Sequence, residues 1–101
     1  MTERYTPTQG QYLAFIHYYT KVNGQPPAEA DMVRYFGTTA PSVHQMVVTL
    51  EKKGFIARTP GQSRSIRLLL SRADLPDLGI AAHDPWSYAV ARLAKRKGIA
   101  A

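Results

Sequence analysis

The chain contains no cysteine, only one tryptophan, and far fewer acidic than basic side chains. Without thiols it can form neither a disulfide framework nor a thiolate metal site, which is typical of an intracellular protein. No apolar stretch is long enough to cross a bilayer, and residues 1–10 lack the apolar core of a secretory signal. The sequence therefore predicts a cytoplasmic protein that does not enter a membrane.

Positive charge is what the chain has in excess. It carries 13 Lys+Arg against 7 Asp+Glu, for a formal net charge of +6. This excess can simply favour solubility, but on one face of the molecule it favours a polyanionic partner. The 101 residues suit a single small domain, and 45% of them are hydrophobic, which is enough for a core but not for a large enclosed active site.

Two helices are predicted in the first third of the chain. Thr6, Pro7 and Gln9 form a capping pattern at the start of the first, which should end near Asn23 before a glycine. A second, shorter helix should run from about Glu29 to Phe36, with acidic residues in its first turn, where the helix dipole favours them.

A third helix should follow after a tight turn at Gly37, capped by Thr39 and stopped at Gly54. The short connection is typical of a helix-turn-helix, although on length alone an ordinary pair of core helices explains it equally well. One side of this helix has the i, i+3, i+4, i+7 spacing of a buried stripe, formed by Val43, Met46, Val47 and Leu50.

The opposite side of the third helix has polar side chains and no acid before Glu51. Glutamine can bond adenine through two hydrogen bonds, serine and threonine accept several partners, and an apolar group can contact a thymine methyl. Such a surface is suited to the major groove of DNA. It consists of Ser42, His44, Gln45, Val48, Thr49 and Lys52.

A β-hairpin is predicted next, with strands over residues 55–59 and 64–70 joined by a Pro60-Gly61 turn. Arg58 and Arg64 share the parity of the core-facing positions but lie nearer the tip, where they can reach phosphates or a minor groove. Alternatively, they are solvated charges that protect a strand edge. Because the hairpin is expected beside the polar third helix, contact with phosphates or a minor groove is the favoured interpretation.

The predicted domain occupies residues 1–70, and residues 71–101 form a linker and a basic amphipathic helix. Asp84 and a following proline mark the start of that helix, and Trp86, Val90 and Leu93 share one of its faces. This face can close over the domain's own core or pair with a second copy. Pairing would supply the two-fold symmetry that palindromic DNA sites require.

Together, these segments resemble the amino-terminal winged helix-turn-helix domain of LexA repressors over roughly residues 5–70. The resemblance is carried by TPTQGQYLAFI, the two prolines before the second helix, SVHQMVVTLEKKGFI and TPGQSRSIRLL. In that family the third helix enters the major groove and the wing flanks it. The resemblance implies base contacts from Ser42, His44, Gln45 and Thr49, and backbone or wing contacts from Thr39, Lys53 and Arg64.

The chain also departs from that family. LexA repressors continue into a self-cleaving peptidase domain, whereas this chain ends at Ala101, so we expect neither self-cleavage nor another enzymatic activity. Met46 and Val47 replace a His-Leu or similar pair, so no operator sequence can be carried over. The histidines, His17, His44 and His83, have no metal-ligand spacing, and neither a metal nor a cofactor is expected.

The sequence thus predicts a mainly α fold with a small β-hairpin: a winged helix-turn-helix with a three-helix core and an additional carboxy-terminal helix. The predicted function is sequence-specific binding of double-stranded DNA by a transcriptional regulator, a repressor of LexA-like type. Two alternatives stay open. One is a module that binds another protein through Val48 and basic surfaces, and the other is a ligand-responsive regulator with a pocket near Trp86.

Overall fold

The computed structural model describes residues 5–79, in which three helices are followed by a two-stranded antiparallel hairpin. No helix in this part of the chain has the length and apolarity needed to cross a membrane. The predicted mainly α, winged helix-turn-helix fold is confirmed, and the predicted carboxy-terminal helix lies outside the described residues. The elements are α1 (Pro7–Asn23), α2 (Glu29–Phe36), α3 (Ala40–Lys52), β1 (Ile56–Ala57), β2 (Arg67–Leu68) and a 3₁₀ turn at Arg72–Asp74.

The helices begin and end where local sequence signals predict. The Thr6 hydroxyl accepts a hydrogen bond from the backbone N–H of Gln9 at 3.1 Å, and the Gln9 side chain accepts one from the Thr6 N–H at 3.0 Å. This capping box satisfies two donors that the first turn of α1 would otherwise leave unpaired. Gly24 ends the helix in the left-handed conformation, with φ at 75°.

The core lies between α1, α2, the inner side of α3 and the hairpin. Val43, Val47 and Leu50 are completely buried, and Met46 packs at the edge of the same cluster, as the periodic stripe predicts. Because this stripe anchors α3 along its length, the opposite side of the helix must face outward.

The hairpin is shorter than predicted, with only two residues in each strand and Ile56 paired with Leu68. Over residues 58–66 the two strands make no further ladder of backbone hydrogen bonds, and the tip is a loop closed by side-chain hydrogen bonds. Within it, the Ser65 hydroxyl accepts from the Thr59 N–H at 2.9 Å and donates to the Gln62 carbonyl at 2.9 Å. Side-chain hydrogen bonds of this kind replace the strand pairing that was predicted for residues 58–59 and 64–66. We call residues 56–68 the wing.

Residues 71–79, predicted to begin a linker, pack against the helices. Leu75 is buried in the core cluster. Gln11 donates to the Asp77 carbonyl at 2.9 Å and accepts from the Gly79 N–H at 2.7 Å. The hydroxyl of Tyr35 also donates to the Gly79 carbonyl. The packed unit therefore continues beyond residue 70 to the last described residue.

Gly10 of α1 lies where Tyr5 and Pro76 pack closely against the helix. A Cβ added there would lie 2.8 Å from Cε1 of Tyr5 and 3.1 Å from Cγ of Pro76. An exposed helical glycine replaced by alanine would gain about 1 kcal/mol. We expect Gly10→Ala instead to lower the free energy of unfolding by about 1 kcal/mol, because Tyr5 and Pro76 must move.

Urea denaturation checks this prediction. Thr8→Ala, on the exposed side of the same helix, is the matched control and should stay within about 0.5 kcal/mol of the parent. A net gain in stability for Gly10→Ala would show that the close approach exerts no constraint.

Candidate nucleic-acid interface

The amino-terminal half of α3 projects its polar side chains away from the core. Gly37 adopts a left-handed conformation, with φ at 62°, and residues 37–39 turn the chain from α2 into α3. Beyond that turn, Ser42, His44 and Gln45 are all exposed. We call these three side chains the polar face of α3. Their exposure matches the outward side predicted from the periodic stripe, and it leaves the three side chains accessible to a partner.

The other DNA-contacting residues predicted along α3 differ in how their polar groups are used. The Thr39 hydroxyl accepts from the Ser42 N–H at 3.3 Å and donates to the Ser42 hydroxyl at 3.0 Å. Thr49 is half-buried, and its hydroxyl donates to the Gln45 carbonyl at 2.9 Å. Lys53 caps the carboxyl end of the helix. Thr39 and Lys53 therefore mark opposite ends of a helix about 20 Å long.

His44 has a partner that sequence analysis did not identify. Its Nδ1 lies 3.2 Å from Oε2 and 3.3 Å from Oε1 of Glu29, at the start of α2. The sequence interpretation explained Glu29 only by the dipole of its own helix. Tertiary packing of α2 against α3 brings the carboxylate to the polar face, and no local pattern signals that contact.

Arg58 belongs to the wing and contacts the carboxyl end of α3. Its Nε donates to Oε1 of Glu51 at 3.0 Å, and its side chain is three-quarters buried. This ion pair fastens the wing to the helix that it flanks. Contact between Arg58 and DNA remains a prediction. The same side chain also holds the wing in place.

The Arg64 side chain connects the wing to the first two helices. The guanidinium turns inward, with Nη1 lying 3.1 Å from Oδ2 of Asp31, 3.1 Å from the Tyr19 hydroxyl and 3.3 Å from the Pro26 carbonyl. Arg64 has φ at 54° and lies outside β2, so the alternation of a strand does not set the direction of its side chain. The hydrogen bond to Tyr19, and then the charge of Asp31, raise the pKa of Arg64. Its predicted wing contact with DNA stays a prediction, while its observed partners connect the wing to α1 and α2.

Asp31 is the acceptor at the centre of that connection. Its side chain is only 3% exposed. One oxygen accepts from the Ala28 N–H at 2.9 Å and from Arg64, and the other accepts from Arg34 at 2.8 Å. Its position three residues after Ala28 is a sequence signal for helix capping. No signal in the sequence pointed to Arg64.

His17, on α1, is the other histidine within residues 5–79. Burial, followed by the charges of Arg72 and Lys21, lowers the pKa of His17, so its ring is neutral near physiological pH. His83 lies outside the described residues. Within residues 5–79, no group of three or more His, Cys, Asp or Glu side chains could hold a metal ion.

A three-residue turn between two packed helices, a polar face on the second helix and a wing fastened to its carboxyl end define a winged helix-turn-helix domain. Comparison with protein families places the chain more closely. The model of the LexA DNA binding domain matches residues 2–65, and the chain belongs to this family.

The curated relatives are LexA repressors from several bacteria. The chain is 40% identical over 67 residues to the LexA repressor of Thermosipho melanesiensis, covering 66% of this chain and 34% of the relative. It is 38% identical over 82 residues to that of Cellvibrio japonicus, covering 79% of this chain and 41% of the relative. The chain thus spans well under half the length of these relatives.

Proposed function

We propose that this chain binds double-stranded DNA at specific sequences and represses transcription by occupying those sites. The observation that carries the proposal is the polar face of α3, exposed on a helix whose other side is completely buried. In the major groove, Gln45 can bond both N6 and N7 of adenine, while Ser42 and His44 contact neighbouring base edges. Membership of the LexA DNA-binding family and the name of its relatives support this assignment. The proposal requires no cofactor and assigns no reaction to the chain.

Contacts to the phosphate backbone would provide most of the affinity. Thr39 and Lys53, at the two ends of α3, are placed to flank the groove, and Thr49 adds an apolar methyl beside Gln45. Arg58 lies beside the carboxyl end of the helix and can share its charge with a phosphate. The net charge of +6 favours association with DNA generally.

Selection from a random DNA pool, followed by binding measurements across a salt series, tests this function. We expect a defined site to be enriched. The logarithm of its binding constant should fall linearly with the logarithm of salt concentration. The slope should be about −0.9 for each phosphate contacted. A protein-binding module would instead retain no DNA at moderate salt, and that result would remove the proposal.

The same selection addresses a second part of the proposal, that two copies pair through the predicted carboxy-terminal helix. Its support is the shared face of Trp86, Val90 and Leu93 in the sequence. A variant ending at Gly79 keeps Leu75 and the packed segment of residues 71–79. It should sediment as a monomer and select a half-site instead of a palindrome. An unchanged dimer would show that pairing lies elsewhere.

A further inference from the structure

Glu29 of α2 contacts the polar face of α3 directly. Its two carboxylate oxygens lie 3.3 Å and 3.2 Å from Nδ1 of His44. The side chains are 35% and 57% exposed, so both stay accessible from solvent. Asp31 and Glu51 pair with arginines that hold the fold together. Glu29 pairs instead with a side chain that we place in the groove.

This contact determines which nitrogen of a neutral His44 carries the proton. A carboxylate has only acceptors, so the ring must donate from Nδ1–H. The other ring nitrogen, Nε2, is then left with a lone pair and acts as an acceptor. Without the carboxylate, Nε2 would carry the proton, which is the preferred arrangement of a histidine side chain in water, and would act as a donor.

We propose that Glu29 is a positioning residue that determines base specificity through His44. By holding Nδ1–H, it makes Nε2 present an acceptor to the major groove. The donors available there are the amino groups of adenine and cytosine, whereas guanine and the thymine carbonyl offer acceptors. The inference rests on the proposed function, since it assumes that α3 enters the groove.

The energetics of the pair are consistent with a role in orientation. A hydrogen bond between two solvent-accessible side chains contributes little to folding stability, and both Glu29 and His44 are accessible to solvent. What the contact changes is the hydrogen-bonding character of one group on the polar face. A wrong base would place an acceptor against Nε2, and both groups would lack a donor. Leaving such a polar group without a hydrogen bond costs more free energy than forming the bond contributes.

Nitrogen-15 spectra of the histidine rings test the first half of the proposal without DNA. On the alkaline plateau of the ring titration, His44 should carry its proton on Nδ1 in the parent and on Nε2 in Glu29→Ala. Asp77→Ala is the matched control, because it removes the same charge from a side chain that is 86% exposed on the segment beside α1. It should leave His44 unchanged. A parent protein with the proton on Nε2 would overturn the proposal, whatever the chain binds.

Selected DNA sites test the second half. At one position, Glu29→Ala should shift the preference from adenine or cytosine towards guanine or thymine by roughly three- to tenfold, the range expected for one hydrogen bond. In a His44→Ala background, the same substitution should change no base preference. An unchanged profile, or an equal change in both backgrounds, would refute action through His44. Failure of the parent to select any site would refute the proposed function, while the spectra would still decide the protonation of the ring.

Discussion

Replacing Asp31 by alanine should lower the free energy of unfolding by about 2–4 kcal/mol. The substitution removes the acceptor for the Ala28 N–H at the start of α2 and the only carboxylate described beside Arg64 within residues 5–79. Because the side chain is 3% exposed, water cannot replace these bonds without entering the space between α1, α2 and the wing. Urea denaturation at neutral pH measures the loss.

Two control variants separate the contributions. Asp31→Asn keeps an oxygen that can accept from Ala28 and loses the charge, so its stability should lie between that of the parent and that of the alanine variant. Arg34→Ala removes the exposed partner of the same carboxylate, and we expect a loss of less than about 1 kcal/mol. If Asp31→Ala were no less stable than Arg34→Ala, the buried connection to Arg64 would contribute nothing to the fold.

Gln45→Ala should remove the preference for one base pair while leaving the fold intact. We expect a loss of about 1–3 kcal/mol in discrimination at that position, the range for a bidentate contact between an amide side chain and adenine. The side chain is exposed, and the hydrogen bond from Thr49 is made to the Gln45 backbone, which the substitution retains. The binding-site profile from a random pool measures the effect, and urea denaturation confirms that stability is unchanged.

Gln25→Ala provides the matched control for that experiment. It deletes the same side chain from an exposed position in the connection between α1 and α2. Its binding-site profile should equal that of the parent. If Gln45→Ala also kept the parent profile, α3 would not be the element that distinguishes sequences, and the assignment of the polar face would be wrong.

Local signals predicted the parts of the fold that depend on neighbouring residues. The capping box at Thr6 and Gln9 and the cap at Thr39 join residues three apart, so the sequence shows both partners at once. The buried stripe of α3 follows from helical periodicity alone. The predicted second strand was too long because the alternation of buried and exposed positions extends in the sequence back to Arg64. The backbone at Arg64 is left-handed and cannot continue the strand.

The sequence by itself determined that this protein has a capped third helix with one buried and one polar side, since hydrogen bonds and periodicity within one helix need no distant partner. Only the tertiary structure decided which acid each of three predicted DNA-contacting side chains meets. Arg64 and Asp31 are 33 residues apart, and His44 and Glu29 are 15 apart. Arg58 is seven residues from Glu51, across the end of a helix. These pairs form because packing brings separate elements within hydrogen-bonding distance, and that proximity is a property of the folded chain.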